Sequence, residues 1–564
     1  MENKSKYYLL AALGVTFVIA MQILGPIWSE NNIFQDDFRQ SLFWGWTFWD
    51  PELFQNDFFM PMYQSHMIRT PLLSAVYHLA PVITDNLIWY TKFLVLVIFL
   101  ISALAVYLFF DKVSRKPILA FASTVIFSIC FWCTDHVSAA HSRSLVWFGI
   151  FLYMYLKACS RDKLALFFIF VLLFLSPHAF LICLVMEFMH SLLVYKKDFF
   201  NFKNVSFIGL GLNAIAVLVL YKIIFKNTVT QGVGTAFTKQ EMMALPEFNP
   251  GGRHPIFGSH FMDGTWWTNE HWGLGIGYLP ISKIIIIAAI AIPVYLILEH
   301  LVFRNKINYK AIFDSMPFVL LLSSTLLYFL AQISFPALYL PSRFIALPWL
   351  IVSLIILILI FDQYLERFIT YISSLKSNKS KTESVSSFAW LRIVILLGSA
   401  FGFWYYAFTH NFYFTRYVSI TPEVKAILET TPKDSLIAGH PLLPDLNSAS
   451  IASKRKVFVD YERSMAYTKE SLAEIRRRNF VALELTYAKS KEDFLRIAHE
   501  NGITHFMALY DFYSPGYLAN PVYIDPYTLR LRELTQLKEG ETFFIEQFLK
   551  EKNLRYGVLD VQKL

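Results

Sequence analysis

The chain has 564 residues, of which 55% are hydrophobic, 17% aromatic and only 16% charged, with a mean hydropathy of +0.45. A soluble domain carries about a quarter charged residues, so this composition excludes a wholly soluble protein and describes a polytopic α-helical membrane protein. The net charge of +8 comes with no aromatic-basic RNA module or recognition helix, so nucleic acid is excluded as a partner and the surplus is assigned to anionic lipid.

The first apolar run, about 7–28, has no Ala-x-Ala-like site after it and is followed by further spans, so it reads as a retained span, not a cleaved signal. Next comes a long aromatic loop, about 29–86, opening on Phe34-Gln35-Asp36-Asp37-Phe38-Arg39-Gln40. Two adjacent carboxylates at the level where hydrocarbon gives way to water lose part of their hydration. Asp36 or Asp37 is a candidate general base for an acceptor hydroxyl. As a pair they would suit a divalent cation such as magnesium or manganese, and the plain alternative is an acidic turn that caps the next helix. Asp50-Pro51-Glu52 predicts a capped helix start, and the Trp and Phe residues of the loop suit an amphipathic helix in the head-group layer. Arg39, Asp57, His66 and Arg69 are further loop candidates for substrate binding.

Spans are then expected at about 87–110, 117–133, 143–158, 164–176, 179–195 and 205–225. The turn before the third of these gathers Asp135, His136, His141 and Arg143, a mixture able to contact phosphate or sugar hydroxyls but lacking a metal-ligand spacing. Pro177-His178 breaks an apolar run, which places His178 at a turn or a cavity wall. Glu187 and His190 are expected to pair with each other. Cys130, Cys133, Cys159 and Cys183 all fall in apolar runs and form no disulfide framework.

A second large loop, about 226–280, holds Asn249-Pro250-Gly251-Gly252-Arg253-His254-Pro255 and the sugar-stacking candidates Trp266 and Trp267, which serve equally as interfacial anchors. Spans follow at about 281–299, 314–333, 344–361 and 389–409, eleven in all. Arg343, in Leu340-Pro341-Ser342-Arg343-Phe344, sits at a span mouth where a guanidinium can fork onto a donor phosphate, with Arg143 as a second such group. The alternative is a snorkelling arginine. Ser373 to Ser387 reads as a linker.

The tail, about 410–564, reads as a soluble α/β domain: helix from Thr421-Pro422-Glu423, strand at 435–439, strand at 456–460, helix from about Thr468, helix at 490–500 stopped by Asn501-Gly502, strand at 503–509 and a last helix at about 541–552. The basic residues fall in alternate loops, which puts the N-terminus inside and the tail outside. The sequons at Asn3, Asn204 and Asn378 all fall inside, which fits a bacterial inner membrane.

This arrangement resembles the GT-C superfamily of integral membrane glycosyltransferases. The acidic pair Asp36-Asp37 after the first span is similar to the family's frequent Asp-Glu pair, and Arg343-Phe344 with Pro348 is similar to its Arg-Tyr followed by Pro near a late outer helix end. The resemblance implies a polyprenyl-phosphate-linked sugar donor, a glycan, lipid or protein acceptor, and displacement at the anomeric carbon with inversion. Asp36 or Asp37 would be the base and Arg343, with Arg143, the phosphate grip. The rival readings are a transporter or flippase of a lipid-linked or anionic solute, for which matching broken spans are not found, and a non-catalytic envelope assembly protein.

Overall fold

The computed structural model describes residues 3–64, 70–132, 138–201, 204–220, 234–257, 315–336, 340–375, 417–465 and 468–564, with a few single positions between them. The chain divides into two compact units, each assembled from three stretches of sequence: Met1–Pro26, Lys92–Val219 and Ser259–Thr415 form the first, and Ile27–Thr91, Leu220–Gly258 and Arg416–Leu564 the second.

The first unit is helical. Five helices in the described residues are long and apolar enough to cross a membrane: Lys4–Ile27, Leu87–Ser114, Pro177–Phe200, Met316–Ile333 and Pro341–Arg367. The runs expected at 117–133, 143–158, 164–176 and 205–225 are also helices, Pro117–Trp132, Val146–Ala158, Asp162–Leu175 and Val205–Leu220, but they have only 13 to 16 residues. At 1.5 Å per residue the 14-residue one reaches about 21 Å, short of the roughly 30 Å of hydrocarbon. Length alone therefore does not carry a count of eleven crossings. The expected spans at 281–299 and 389–409 lie outside the described residues, save for a few single positions.

Side-chain contacts fix the helix directions in this unit. Gly149 abuts Ala179, and Tyr153 donates to Glu187 at 2.8 Å, so Val146–Ala158 and Pro177–Tyr195 run parallel. Leu172 also meets Gly149 while Asp162 meets Lys157, so Asp162–Leu175 runs the opposite way between them. Tyr8 packs on Phe121 and Thr16 bonds Ser128 at 2.9 Å, making Asn3–Leu24 parallel to Pro117–Trp132. Phe127 and Phe131 pack on Phe151 and Trp147, which sets that pair antiparallel to Val146–Ala158. Glu187 is buried. Lys157 on the neighbouring helix holds it at 3.1 Å, with Ser191 and Tyr153 donating to the remaining positions. A buried carboxylate needs an opposite charge more than a nearby imidazole.

The second unit is α/β. Its main sheet contains β3 (Leu436–Gly439), β4 (Lys456–Val457), β5 (His505–Leu509) and β6 (Tyr556–Asp560) in the order β4-β3-β5-β6, parallel except for β6. A separate antiparallel pair joins β1 (Ile33–Gln35) to β2 (Tyr417–Ser419). The helices start where the sequence places caps: Thr468 before Lys469–Thr486, Ser490 before Lys491–Glu500. Gly502 takes a φ of +64° and ends the latter.

Two local expectations fail. Asp50-Pro51-Glu52 begins a run of turns, not a helix. Phe54 and Asn56 both take positive φ, and Asp50 is drawn into an ion pair with Lys433 at 2.6 Å. The helix begins later, at Met60–Gln64, where Asp57 Oδ1 accepts from the N–H groups of Phe59 and Met60 at 2.7 and 3.1 Å. The aromatic segment is not a surface-lying helix either: Phe43, Trp44 and Trp46 are buried, and Trp46 Nε1 donates to the Ile451 carbonyl at 2.8 Å. Tryptophan that can satisfy its N–H inside a fold gains more from full burial than from an interface.

Candidate functional site

The acidic pair opens a short helix, Asp36–Ser41, whose first turn is fixed by Gln35: its Oε1 accepts from Phe38 N at 2.9 Å. Carboxylates in a first helical turn face unsatisfied N–H groups and are favoured there. Asp37 Oδ1 accepts from Gln40 at 3.4 Å. Asp36 Oδ1 lies 2.6 Å from the guanidinium of Arg39, one turn on, and Arg39 also reaches Glu462 Oε1 at 3.2 Å. The other oxygen of Glu462 takes Arg253 at 2.7 Å, and Arg253 lies over the Tyr461 ring, 4.2 Å from its centre, with its Nε donating to the Tyr461 carbonyl.

The result is a chain of alternating charge: Asp36, Arg39, Glu462, Arg253. Three members are well shielded, with side chains 9% (Arg39), 13% (Glu462) and 15% (Arg253) exposed, whereas Asp36 is 36% exposed. Burial raises the Glu462 carboxyl above the usual range, against the pull of Arg253 and Arg39. The four charges cancel and Asp37 adds one more negative, so the open end of the chain suits a proton or a cationic centre more than an anion. Among the described residues no group of three or more His, Cys, Asp or Glu could hold a metal ion. With Asp36 already facing Arg39, these residues do not fit a resident cation by themselves.

Sequence reasoning singled out Arg39 but missed its partners. Glu462 lies just beyond the C-terminal end of β4, where open α/β sheets place functional groups. Arg253 lies in the Gly-Gly-Arg segment of the second large loop. There Gly251 takes a φ of +94°, and a Cβ on Gly252 would lie 2.2 Å from the Pro246 carbonyl oxygen, so only glycine lets this turn deliver the arginine.

Asp57 belongs to a second buried cluster. It caps its helix as described, and burial raises its carboxyl against the opposing charge of Arg463. Arg463 is fully buried, bonded to Asp460 through Nε at 2.6 Å and sandwiched near Phe43 and Phe59. Those contacts describe a structural brace.

In the first unit the remaining candidates gather at one end. Arg143 lies in the turn Ser142–Leu145, which leads into Val146–Ala158, and Arg343 lies in the turn Pro341–Phe344, which leads into Ala346–Leu375. Both are Ser-Arg turns entered from a left-handed non-glycine residue, Ala140 (φ 51°) and Leu340 (φ 59°), with a buried serine and a half-buried arginine. Strained backbone of this kind persists only where packing holds it. His178, at the start of Pro177–Tyr195, stacks on Phe344 with ring centres 5.7 Å apart. His141 N accepts no role in metal spacing; it donates to Ser144 Oγ at 3.1 Å and caps its own turn. By the helix directions above, Lys116, Arg161 and Lys163 lie at the opposite end of this unit. Three helix starts and two arginines at one end provide positive potential for a phosphate. His66, Arg69, Trp266 and Trp267 lie outside the described residues.

No family model matches the chain, and no curated protein does. Among solved structures it is similar to the archaeal oligosaccharyltransferase AglB from Archaeoglobus fulgidus in complex with an inhibitory peptide and a dolichol-phosphate, with 12% identity, a TM-score of 0.47, and coverage of 91% of this chain and 71% of that one. The Archaeoglobus fulgidus oligosaccharyltransferase tethered to an acceptor peptide containing the NVT sequon gives 13%, 0.47, 91% and 70%. The same organism's oligosaccharyltransferase in complex with zinc and sulfate gives 13%, 0.47, 90% and 69%.

Proposed function

We propose that this chain is a multi-pass membrane glycosyltransferase of the GT-C type, moving a sugar from a polyprenyl-phosphate-linked donor to an acceptor hydroxyl on a glycan, lipid or protein. The observation that carries this reading is the carboxylate pair at the head of Asp36–Ser41, with Asp36 held by Arg39 yet left 36% exposed. In the proposed step the acceptor oxygen attacks the anomeric carbon, its proton passes to Asp36 or Asp37, and the bond to the lipid phosphate breaks with its electron pair staying on the phosphate. Arg343, aided by Arg143, is proposed to take up that charge, as paired or forked guanidinium groups do. Arg39 and Glu462 act as positioning residues, fixing the carboxylate without touching the reacting atoms. No step is routed through a metal.

The reading places the Arg143 and Arg343 end outside, as does the excess of lysine and arginine at the opposite end. The multi-pass placement in a bacterial inner membrane, with all eleven runs crossing, belongs to the same proposal. It is tested by mass spectrometry of lipid-linked sugars and surface glycans in cells lacking the protein, complemented with the wild type, Asp36→Asn or Asp37→Asn. The expected result is one polyprenyl-phosphate sugar accumulating beside an under-decorated glycan, reversed by wild type and not by at least one variant. Full reversal by both variants would overturn the assignment of the base, and unchanged lipids and glycans in the deletion strain would overturn the enzyme reading.

A further inference from the structure

At the end of the first unit opposite the two arginine turns lies a cavity of about 600 Å³, lined by Ser160, Arg161, Asp162, Lys163, Tyr195 and Asn204 among others. It sits where the helices Asp162–Leu175 and Val205–Leu220 begin. Both lead away from it, and Gly209 on the second packs so closely on Leu166 of the first that a Cβ there would lie 2.5 Å from it. The one acidic side chain in the wall, Asp162, shares Lys157 at 2.5 Å with the buried Glu187, so one negative charge of that trio stands against Arg161 and Lys163. Arg161 and Lys163 have no side-chain partner among the described residues, and Lys196 and Lys197 follow Tyr195 directly, against a single further acid, Asp198. Beside the wall, Ser206 Oγ is buried with no hydrogen-bond partner. The cavity therefore keeps a net positive charge, to which the start of Asp162–Leu175 adds, while the start of Val205–Leu220 is capped by Asn204 Oδ1, which accepts from Ser206 N at 2.9 Å and Phe207 N at 3.3 Å.

From this cavity an apolar track runs along both helices. Leu164, Phe167 and Phe170 on one, and Ile208, Leu212 and Ile215 on the other, are large hydrophobic side chains left between 38% and 62% exposed. Their spacing of three and four residues keeps each set on one helix face. Polar head above, continuous apolar stripe below, is the shape of a phospholipid.

We propose that this cavity is a binding site for one anionic glycerophospholipid, its phosphodiester held by Arg161 and Lys163 and its acyl chains lying along the Phe167 and Leu212 faces. Basic pockets between membrane helices recognise such head groups. A soluble phosphate ester would share the head-group chemistry but would leave the stripe unused, so the lipid is the occupant.

The test is native mass spectrometry of the purified full chain released from nanodiscs of phosphatidylglycerol and phosphatidylcholine in equal parts. The expected result is a single retained phosphatidylglycerol, with occupancy reduced roughly ten- to thirtyfold by Arg161→Gln with Lys163→Gln, and phosphatidylcholine adducts unchanged. Equal retention of the two lipids by the wild type would overturn the proposal, as would equal phosphatidylglycerol occupancy in wild type and variant. Displacement of the lipid by millimolar glycerol 3-phosphate would overturn the lipid assignment in favour of a soluble ester. Should the double variant melt early in phosphatidylcholine nanodiscs, the comparison of the two lipids on the wild type decides alone.

Discussion

Asp36 and Asp37 differ in what surrounds them, and that difference is measurable. Asp36 is tied to Arg39 at 2.6 Å, while Asp37 Oδ1 takes a 3.4 Å bond from Gln40 in addition to its place in the first helical turn. A general base contributes about 10²- to 10⁴-fold, so whichever carboxylate takes the proton should lose that much turnover as the Asn variant. The other should lose less than about tenfold, read as transfer rate in isolated membranes. His440 offers a second residue-level test. It is buried, stacked on Phe512 with ring centres 4.0 Å apart, bonded to Tyr517 at 3.2 Å, and desolvation pushes its imidazole down to about 3. The unfolded chain, with an ordinary histidine, takes up the proton first, so this residue's contribution is lost as pH falls from about 6.5 toward 3. His440→Gln should lower the melting temperature at pH 7 and flatten its fall across that window. An unchanged slope would contradict the buried neutral imidazole.

Elements with local signals were legible in the sequence, and those without were not. Thr468 and Ser490 announce their helices because a hydroxyl cap satisfies N–H groups within three residues. β6 escaped notice because Tyr556-Gly557-Val558-Leu559-Asp560 carries a glycine and earns its place by pairing with β5. The charge chain at the candidate site was half visible: Arg39 sits beside the acidic pair, but Glu462 lies 423 positions away and leaves no local trace. Within Lys469–Thr486, Glu474 bonds Arg477 and Arg478 at 2.7 Å each, which brings its carboxyl down to about 2. A depressed carboxylate stabilises above its unfolded value and ceases to as pH falls through the folded one. Glu474→Gln should therefore melt a few degrees below wild type at pH 7, with the gap closing from about pH 4.5 toward 2. A gap independent of pH would show that packing, not charge, is the cause.

At the scale of the whole molecule, the first large loop and the tail are parts of one folded unit. β1 pairs with β2, Trp46 bonds the Ile451 carbonyl, and Arg463 is buried between Phe43 and Phe59. A chain ending at residue 410 would strip these partners from the loop and expose Trp46, which also lies under Lys454. Limited proteolysis of membranes carrying it should cut rapidly after Arg39, a bond protected in the full chain; equal resistance would mean that the loop folds without the tail. It follows that loss of activity on removing the tail cannot separate an enzyme from an assembly factor, since both would lose the Asp36 segment's support. The same interlacing governs biogenesis. Trp46 leaves the ribosome 405 residues ahead of Ile451, which at about 5–20 residues per second is a delay of roughly 20 to 80 seconds. For that interval a nascent strand edge and a cluster of bare indoles must be shielded by a chaperone or the translocation machinery, making this protein sensitive to the speed of its own synthesis.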